Sequence, residues 1–248
     1  MSLAEWHARR RATAFSVAEA EGLEIVADQA TLMLACAPLG SERAGFGVSI
    51  DAAAAHRLVG HLEQGYRPLF VSCIDAPDDI ADALLAFDYA EEDPGELVGM
   101  GHRDIAAITV PPMVEGLHPH LSSGTADVPY DEIFELGRLH DPTYPPDDTA
   151  FRAVFPTLVD ATILLVDDAG TAAATASFRV AGSAGAIMAV VVAAPWRGRG
   201  VGTLVTAMAL AGARARGAVD AVLVATAAGR PIYRRLGFAD VAPVRAFG

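Results

Sequence analysis

The feature that most constrains the fold is an apolar run followed at once by a turn of glycine and arginine. Residues 186–194 read AIMAVVVAA, and residues 195–202 read PWRGRGVG. A β-branched run of this length, bounded by Gly and Pro, predicts a strand buried on both faces. Residues 201–217 (VGTLVTAMALAGARARG) are apolar nearly all round and predict a helix. The chain therefore passes from a strand into a helix through a glycine-rich turn.

Such a turn favours the binding of an anion. The first backbone N–H groups of a helix have no partner within the helix, and the helix dipole adds partial positive charge there. Gly198, Gly200 and Gly202 let phosphate oxygens approach the backbone, and Arg197 and Arg199 add positive charge. The turn alone fits two interpretations, a phosphate-binding site or a solvated basic turn.

Two common phosphate-binding motifs do not fit the sequence. The chain contains no lysine, so it has no Walker-type lysine. A dinucleotide-binding GxGxxG that began at Gly198 would need glycine at position 203, where Thr203 stands. The spacing therefore argues against an NAD-dependent oxidoreductase.

The second half of the chain predicts a regular series of elements around this turn. Residues 161–170 and 171–182 predict two antiparallel strands ahead of the apolar run. After the helix come a buried strand at 219–227 and a short helix at 229–238. Upstream, the segments DEIFELGRLHDPTY and DTAFRAVFPTLVDA predict two helices separated by YPPDD.

With these neighbours, residues 197–202 resemble the R/Q-x-x-G-x-G/A motif with which the GNAT superfamily of N-acetyltransferases binds the pyrophosphate of acetyl-CoA. The sequence YRRLGF at 233–238 resembles the Y-x-x-x-G-F on the last helix of that family. Motif, order and spacing agree over residues 129–241. The resemblance implies an α/β (α+β) GNAT fold, in which helices flank a central mixed, mostly antiparallel twisted sheet with splayed parallel strands.

The resemblance also implies a function and its site residues. Acetyl-CoA is the implied acyl donor, and its acetyl group passes directly to an amine of an unidentified small molecule or peptide, which makes the protein an N-acetyltransferase. The pantetheine pairs with the backbone of the first splayed strand, and the pyrophosphate with the amides of the turn. The implied donor-binding residues are Val190, Val191, Val192, Arg197, Gly198, Arg199, Gly200, Val201, Gly202 and Thr226.

Tyr233 stands where many family members have a tyrosine that protonates the departing sulfur, although it could also serve only for packing and hydrogen bonding. Thr226 either hydrogen-bonds the donor or is an ordinary strand residue. Family members often carry a glutamate on the first splayed strand, and AIMAVVVAA has no ionisable group. Glu135, His140 and Asp141 are candidate bases, although each could also be an ordinary surface or capping residue. Water could carry the proton from the amine instead.

The first half repeats the same order of elements in a weaker form. Residues 45–50 and 67–75 predict strands, and residues 52–65 and 76–95 predict helices. The sequence IDAAAAH stands where the second half has WRGRGVG, so the phosphate-binding turn is missing. We interpret this series as a degenerate internal duplication.

The duplication predicts two domains. A degenerate N-terminal GNAT-like domain would span residues 1–110, and a C-terminal acetyl-CoA-binding GNAT domain would span residues 111–248. The segment 99–130, rich in Gly, Pro and Ser, is expected to hold the join. A degenerate first copy and the missing strand carboxylate also leave open an alternative function, a non-catalytic acyl-CoA-binding or regulatory module.

Charge and composition limit the classes of molecule that the protein is expected to bind. The first 128 residues hold 20 acidic and 7 basic residues, and the residues from 129 onward hold 11 acidic and 11 basic residues. The whole net charge of −13 therefore lies in the first half. This acidity predicts a cationic amine acceptor and argues against nucleic acid. The apolar stretch at 184–196 is too short to span a bilayer. Two isolated cysteines and the lack of a signal segment predict a cytoplasmic protein that does not bind membranes.

Several histidines raise the question of a metal site. His118 and His120 form a His-x-His pair, and His102 and His140 lie in the same region. Without a pattern of acidic ligands nearby this is a weak signal, so we expect loop histidines and no metal.

Overall fold

A computed structural model describes the part of the chain discussed below. The residues described are 1–6, 8–10, 12–13, 24–27, 31–35, 43–49, 56, 59–60, 62–63, 66–74, 78–92, 96–123, 135–136 and 159–247.

Strands dominate the described residues, which also include three helices with both ends described and helical residues at 3–6, 8–10 and 12–13. The strands are β1 (Glu24–Ala27), β2 (Thr31–Ala35), β3 (Arg43–Ser49), β4 (Tyr66–Ile74), β5 (Glu91–Glu92), β6 (Val98–His102), β7 (Leu117–Ser123), β8 (Ala161–Asp167), β9 (Ala172–Ala181), β10 (Ala184–Val192), β11 (Asp220–Ala225) and β12 (Ala239–Phe247). The helices are α1 (Asp78–Leu85), α2 (Val201–Ala215) and α3 (Arg230–Arg235). Short 3₁₀ turns lie at Ile105–Ala107 and Ala194–Trp196.

The chain forms two compact units. The first consists of Met1–Met100, Val224–Arg230 and Asp240–Gly248, and the second of Gly101–Leu223 and Pro231–Ala239. The predicted boundary between residues 110 and 111 remains a prediction.

The second unit is built on a mixed, mostly antiparallel sheet. Strands β7, β8, β9 and β10 pair antiparallel in that order, and β10 then pairs with β11 in parallel. This confirms the strands predicted at 161–170, 171–182 and 219–227, the run at 186–194 and the predicted helix after it. Sheet, helix and order agree with the α/β fold that the sequence predicts.

The parallel pair β10–β11 is short. It joins Ala184 to Asp220, Gly185 to Ala221 and Ala186 to Val222, and both strands then continue. Among the described residues, no further pairing between the two strands follows Ala186. On its other side, β10 stays paired with β9, but the register shifts between Met188 and Val191. The two parallel strands therefore separate, as the resemblance implies.

A β-bulge accompanies this separation. Ala189 lies inside the register shift of β10 and has a φ of 51°, in the left-handed region that residues other than glycine rarely adopt. A bulge bends its strand and increases the local twist. The bend occurs just beyond the last residue that pairs with β11.

Helix α2 covers one face of this sheet. Its close approach to β9 depends on Gly212, because an ideal Cβ at that position would lie 2.6 Å from Cε1 of Phe178. The Phe178 ring is buried, and its contact with α2 anchors the core of the unit. The buried residues of α2 are Val201, Gly202, Leu204, Val205, Thr206, Ala207, Ala209, Leu210 and Ala213.

The first unit repeats the strand order of the second. Strands β1, β2 and β3 pair antiparallel in turn, and β3 pairs with β4 in parallel. The same sequence of pairings joins β8, β9, β10 and β11. The C-terminal strand β12 pairs antiparallel with β4 and with β5. The strands predicted at 45–50 and 67–75 are confirmed.

One prediction for the first half needs correction. The helix predicted at 76–95 ends at Leu85, and β5 follows at Glu91–Glu92. The chain turns because Phe87 N–H bonds to the Leu84 carbonyl and Asp88 then adopts a φ of 68°. The segment 99–130, which is expected to hold the join, contains β7 and most of β6.

Some predictions fall largely outside the described residues. The two helices predicted between 131 and 161 are described only at residues 135–136, which are helical. In the helix predicted at 52–65, the described residues 56, 59–60 and 62–63 are helical. None of the helices in the described part of the chain is long and apolar enough to cross a bilayer.

Candidate active site

The candidate site begins where β10 ends. A 3₁₀ turn at Ala194–Trp196 follows the strand, and Arg197 N–H bonds to the Ala194 carbonyl at 3.3 Å. The Arg197 side chain reaches back, and its Nε donates to the Val192 carbonyl at 2.9 Å. Arg197 therefore ties the start of the turn to the end of the strand.

The next two glycines, Gly198 and Gly200, have a left-handed backbone conformation that favours glycine. Gly198 has a φ of 74° and Gly200 has a φ of 81°. An ideal Cβ at either position would have no heavy atom within 4 Å. Glycine is thus required there by conformation and not by crowding, and the space in front of the turn is open.

Six consecutive backbone N–H groups at this turn donate to no backbone carbonyl of the described residues. Leu204 is the first residue of α2 whose N–H bonds back, to the Gly200 carbonyl at 3.0 Å. Within the described part of the chain, the N–H groups from Gly198 to Thr203 donate no backbone hydrogen bond. The first turn of α2 contains no acidic residue. This arrangement suits an anion with several oxygens.

Gly202 has a different role from the other two glycines. An ideal Cβ there would lie 2.8 Å from Cδ1 of Ile232 and 3.6 Å from Cγ2 of Val192. The missing side chain lets the first turn of α2 pack against the end of β10 and against α3. Strand end, turn and last helix thus meet at Gly202.

Arg199 is held at the edge of the turn by an aromatic ring. Its guanidinium carbon lies 5.0 Å from the centre of the half-buried Trp196 ring. A cation–π contact of this exposed kind contributes roughly 0.5–1 kcal/mol. The contact keeps positive charge beside the open amides.

The open edge of β10 lies next to the turn. Residues Ala184–Ile187 are buried, whereas residues 188–192 are only partly buried. The prediction that the whole run is buried on both faces is therefore wrong for its second half. Residues Val190 to Val192 lie beyond the last residue that pairs with β11, and Val191 packs against the buried cluster of Leu136, Leu164 and Val166. The backbone groups on that side can pair with an extended ligand.

The sequence YRRLGF forms a Schellman motif at the end of α3. Gly237 has a φ of 94°, and its N–H bonds to the Arg234 carbonyl at 3.0 Å. Phe238 N–H bonds to the Tyr233 carbonyl, also at 3.0 Å. These are the two bonds of the motif, and they explain why glycine and an apolar residue follow the tyrosine at fixed distances.

Tyr233 is buried at this helix end. Its side chain is 7% exposed, and its ring packs edge-on against the Phe238 ring with centroids 6.1 Å apart. Burial raises the pKa of the Tyr233 phenol to about 12. Among the described residues, no group forms a hydrogen bond with its hydroxyl. The phenol therefore stays protonated at neutral pH and can donate to a ligand.

Thr226 caps the chain as it leaves β11. Its hydroxyl accepts a hydrogen bond from Gly229 N–H at 3.2 Å, and its carbonyl accepts from Arg230 N–H at 3.0 Å. The side chain thus has a structural task at the start of α3. Its hydroxyl proton is still available for a ligand.

The remaining candidates from the sequence are the three possible bases and the His-x-His pair. Glu135 is exposed on a helical segment, and His140 and Asp141 lie outside the described residues. His118 and His120 lie on strand β7 and not in a loop, and His118 Nε2 is 2.8 Å from Oδ1 of Asp168. No group of three or more potential metal ligands occurs among the residues that the structure describes.

Comparison with known families identifies the second half of the chain. Residues 131–238 match the model of the Acetyltransferase (GNAT) family. This part of the chain is similar to the acetyltransferase domain of that family. No curated protein matches the sequence.

Solved structures share the fold. A GCN5-related N-acetyltransferase from Kribbella flavida is 18% identical, with 97% of this chain and 94% of that chain covered and a TM-score of 0.55. A GNAT-family acetyltransferase from Novosphingobium aromaticivorans is 18% identical, with 95% and 93% covered and a TM-score of 0.54. A tandem GNAT protein of the clavulanic acid biosynthesis pathway is 14% identical, with 90% and 80% covered and a TM-score of 0.54.

The buried phenol gives a prediction that needs no ligand. Ultraviolet absorbance can follow the ionisation of tyrosines as the pH rises. When the titration of Tyr233→Phe is subtracted from that of the unaltered protein, the difference should show one tyrosine with a midpoint at about 12. An ordinary tyrosine titrates at about 10. Since the pKa in the folded chain lies above that in the unfolded chain, this residue stabilises the fold below about pH 10 and loses that contribution as the pH rises towards 12. A midpoint near 10 would contradict the burial of the phenol.

Proposed function

We propose that the protein is an acetyl-CoA-dependent N-acetyltransferase that transfers the acetyl group directly to an amine. The observation that carries the proposal is the row of six unpaired N–H groups from Gly198 to Thr203, at the end of a strand whose edge is open. A pyrophosphate needs several such donors, and a pantetheine arm needs a strand edge. The family match at residues 131–238 supports the same reaction class.

The donor site is assigned to the turn and the strand before it. The amides of Gly198, Gly200, Val201 and Gly202 bind the pyrophosphate oxygens, and Arg199 adds charge beside them. Arg197 holds the turn through the Val192 carbonyl. The backbone of Val190–Val192 pairs with the pantetheine arm. Thr226 is a further candidate partner through its hydroxyl proton.

The reaction needs a proton on sulfur and the loss of one from nitrogen. A neutral amine attacks the thioester carbonyl, a C–N bond forms, and the C–S bond breaks. We assign Tyr233 as the acid that protonates the departing sulfur. A phenol with a pKa of about 12 is a weak acid beside a thiol, which ionises at about 8.5. Tyr233 therefore gives up its proton only as the attacking nitrogen releases one to replace it.

This balance removes the need for a strong base. The proton lost by nitrogen equals the proton gained by sulfur, so the site has only to admit the amine in its neutral form. Glu135, His140 and Asp141 remain candidates for that first deprotonation, and water is the other. Alignment of the two reactants then supplies much of the acceleration.

The tandem arrangement belongs to the same proposal. The pairing order of β1–β4 repeats that of β8–β11, which supports a duplicated GNAT-like unit in the first half. The first copy has no glycine–arginine turn between its parallel strands. We assign it a structural role or a role in shaping the acceptor site. A cytoplasmic location stays a prediction.

Removal of the phenol hydroxyl is expected to slow the reaction without loss of donor binding. Tyr233→Phe should lower kcat by about 100- to 10,000-fold, the usual contribution of a general acid. Acetyl-CoA affinity should not change, because the ring and its packing remain. The measurement is free thiol release with a panel of amines, together with calorimetric titration of acetyl-CoA.

Tyr89→Phe is the matched control, since Tyr89 is also 7% exposed but lies in the first unit. Its turnover should equal that of the unaltered protein. The alternative function, a regulatory acyl-CoA-binding module, predicts that the unaltered protein binds acetyl-CoA and releases no thiol with any amine.

The acidity of the first half leads us to propose a cationic acceptor, with neither nucleic acid nor a membrane as partner. Exposed charges attract over about 10 Å at 0.1 M salt, and over less at higher salt. The KM for a polyamine is therefore expected to rise with ionic strength, while the KM for an uncharged amine stays constant. A polyamine KM that does not depend on salt would count against the proposal.

A further inference from the structure

His102 lies at the end of β6 and is half-buried in the second unit. It lies outside residues 131–238, the part that matches the GNAT family model. Its ring contacts the end of α3, which carries Tyr233. The contact is between the side chain of a preceding strand and the turn that ends the last helix.

Both ring nitrogens of His102 are engaged. Nδ1 accepts a hydrogen bond from Asp104 N–H at 3.1 Å. The ring also forms a hydrogen bond with the backbone of Leu236. Since Nδ1 accepts and the Leu236 carbonyl can only accept, Nε2 carries the proton. Burial lowers the pKa of His102, against the opposing influences of Asp104 and of the Leu236 hydrogen bond, and so favours the neutral imidazole over the cation.

The ring sits directly against the turn after α3. An ideal Cβ at Gly237 would lie 2.6 Å from Nε2 of His102. Glycine at 237 is therefore required twice, by its φ of 94° and by the approach of the imidazole. The His102 ring also packs edge-on against the Phe238 ring, with centroids 5.4 Å apart and planes at 73°.

Phe238 connects His102 to Tyr233. Its ring packs against the Tyr233 ring with planes at 65°, and its N–H bonds to the Tyr233 carbonyl. The three rings form a continuous row in which Phe238 lies between the other two. A shift of Phe238 would move the Tyr233 ring and open it to water.

We propose that His102 is a positioning residue for Tyr233, acting through its hydrogen bond to Leu236 and its contact with Phe238. The inference rests on the proposed function, because Tyr233 matters for turnover only if the protein transfers acetyl groups. His102 does not touch the reactants. It fixes the C-terminal end of α3, so that the phenol stays where it can donate.

Two variants separate its hydrogen bonds. The oxygen of His102→Asn can accept from Asp104 N–H, but its amide is too short to reach Leu236. The longer amide of His102→Gln can still donate to Leu236. A small misplacement of a catalytic group costs up to about 100-fold, so kcat should fall about 10- to 100-fold for His102→Asn and clearly less for His102→Gln, with the KM for acetyl-CoA unchanged.

A double-mutant cycle distinguishes positioning from general stability. If His102 acts through Tyr233, His102→Asn should change kcat by no more than about twofold once Tyr233 is phenylalanine. An equal loss of kcat in both backgrounds would overturn the inference. The control is His120→Asn, which alters an exposed histidine on β7 and should leave kcat unchanged.

Titration of the Tyr233 phenol is a second test of the inference, and it does not require acetyl transfer. The phenol of Tyr233 is expected to titrate at about 12 in the unaltered protein and closer to about 10 in His102→Asn, because water then reaches the ring. An unaltered protein without activity would refute the proposed function, and this titration would then decide the inference alone. An unchanged midpoint in His102→Asn would overturn it.

Discussion

The parallel pairing of β10 with β11 stops after three residue pairs, and the candidate site depends on that limit. If the two strands stayed paired, β10 would be an interior strand with no free backbone groups. Because they separate, the second half of β10 pairs with β9 and with no other strand among the described residues. The bulge at Ala189 bends the strand at this point. The residues from Val190 onward thus lie beyond the pairing with β11.

Helices α2 and α3 place polar groups next to the end of β10. Helix α2 begins at the end of β10 and presents unpaired N–H groups, since Gly198 and Gly200 turn the chain without side chains in the way. Gly202 lets α3 pack close to the same point through Ile232. The Schellman motif then holds Tyr233 in a buried position by backbone bonds from Gly237 and Phe238. Strand, glycine turn and buried phenol are therefore linked by short-range contacts.

Much of this arrangement can be predicted from sequence because it is local. The turn from Arg197 to Gly202 and the ending at Tyr233–Phe238 are encoded by glycines at positions that require positive φ or close approach. The extent of burial of β10 could not be predicted, since valines in a cleft and valines in a core look the same in sequence. The end of α1 could not be predicted either, because Asp88 in a left-handed turn leaves no strong signal in the sequence. From sequence, His102 is only one of several histidines with no metal site, because Leu236 and Phe238, which its ring contacts, lie more than a hundred residues away.

The central claim is that the open amides of the turn bind the pyrophosphate of acetyl-CoA. Gly200→Ala and Gly217→Ala form a matched pair, because both glycines have positive φ and no heavy atom within 4 Å of an ideal Cβ. Each change costs about 1–2 kcal/mol of backbone strain, but only Gly200 lies in the turn. Calorimetric titration of acetyl-CoA should give a Kd that rises at least about tenfold, or about 1.4 kcal/mol, for Gly200→Ala and stays constant for Gly217→Ala. An equal Kd in the two variants would contradict the account.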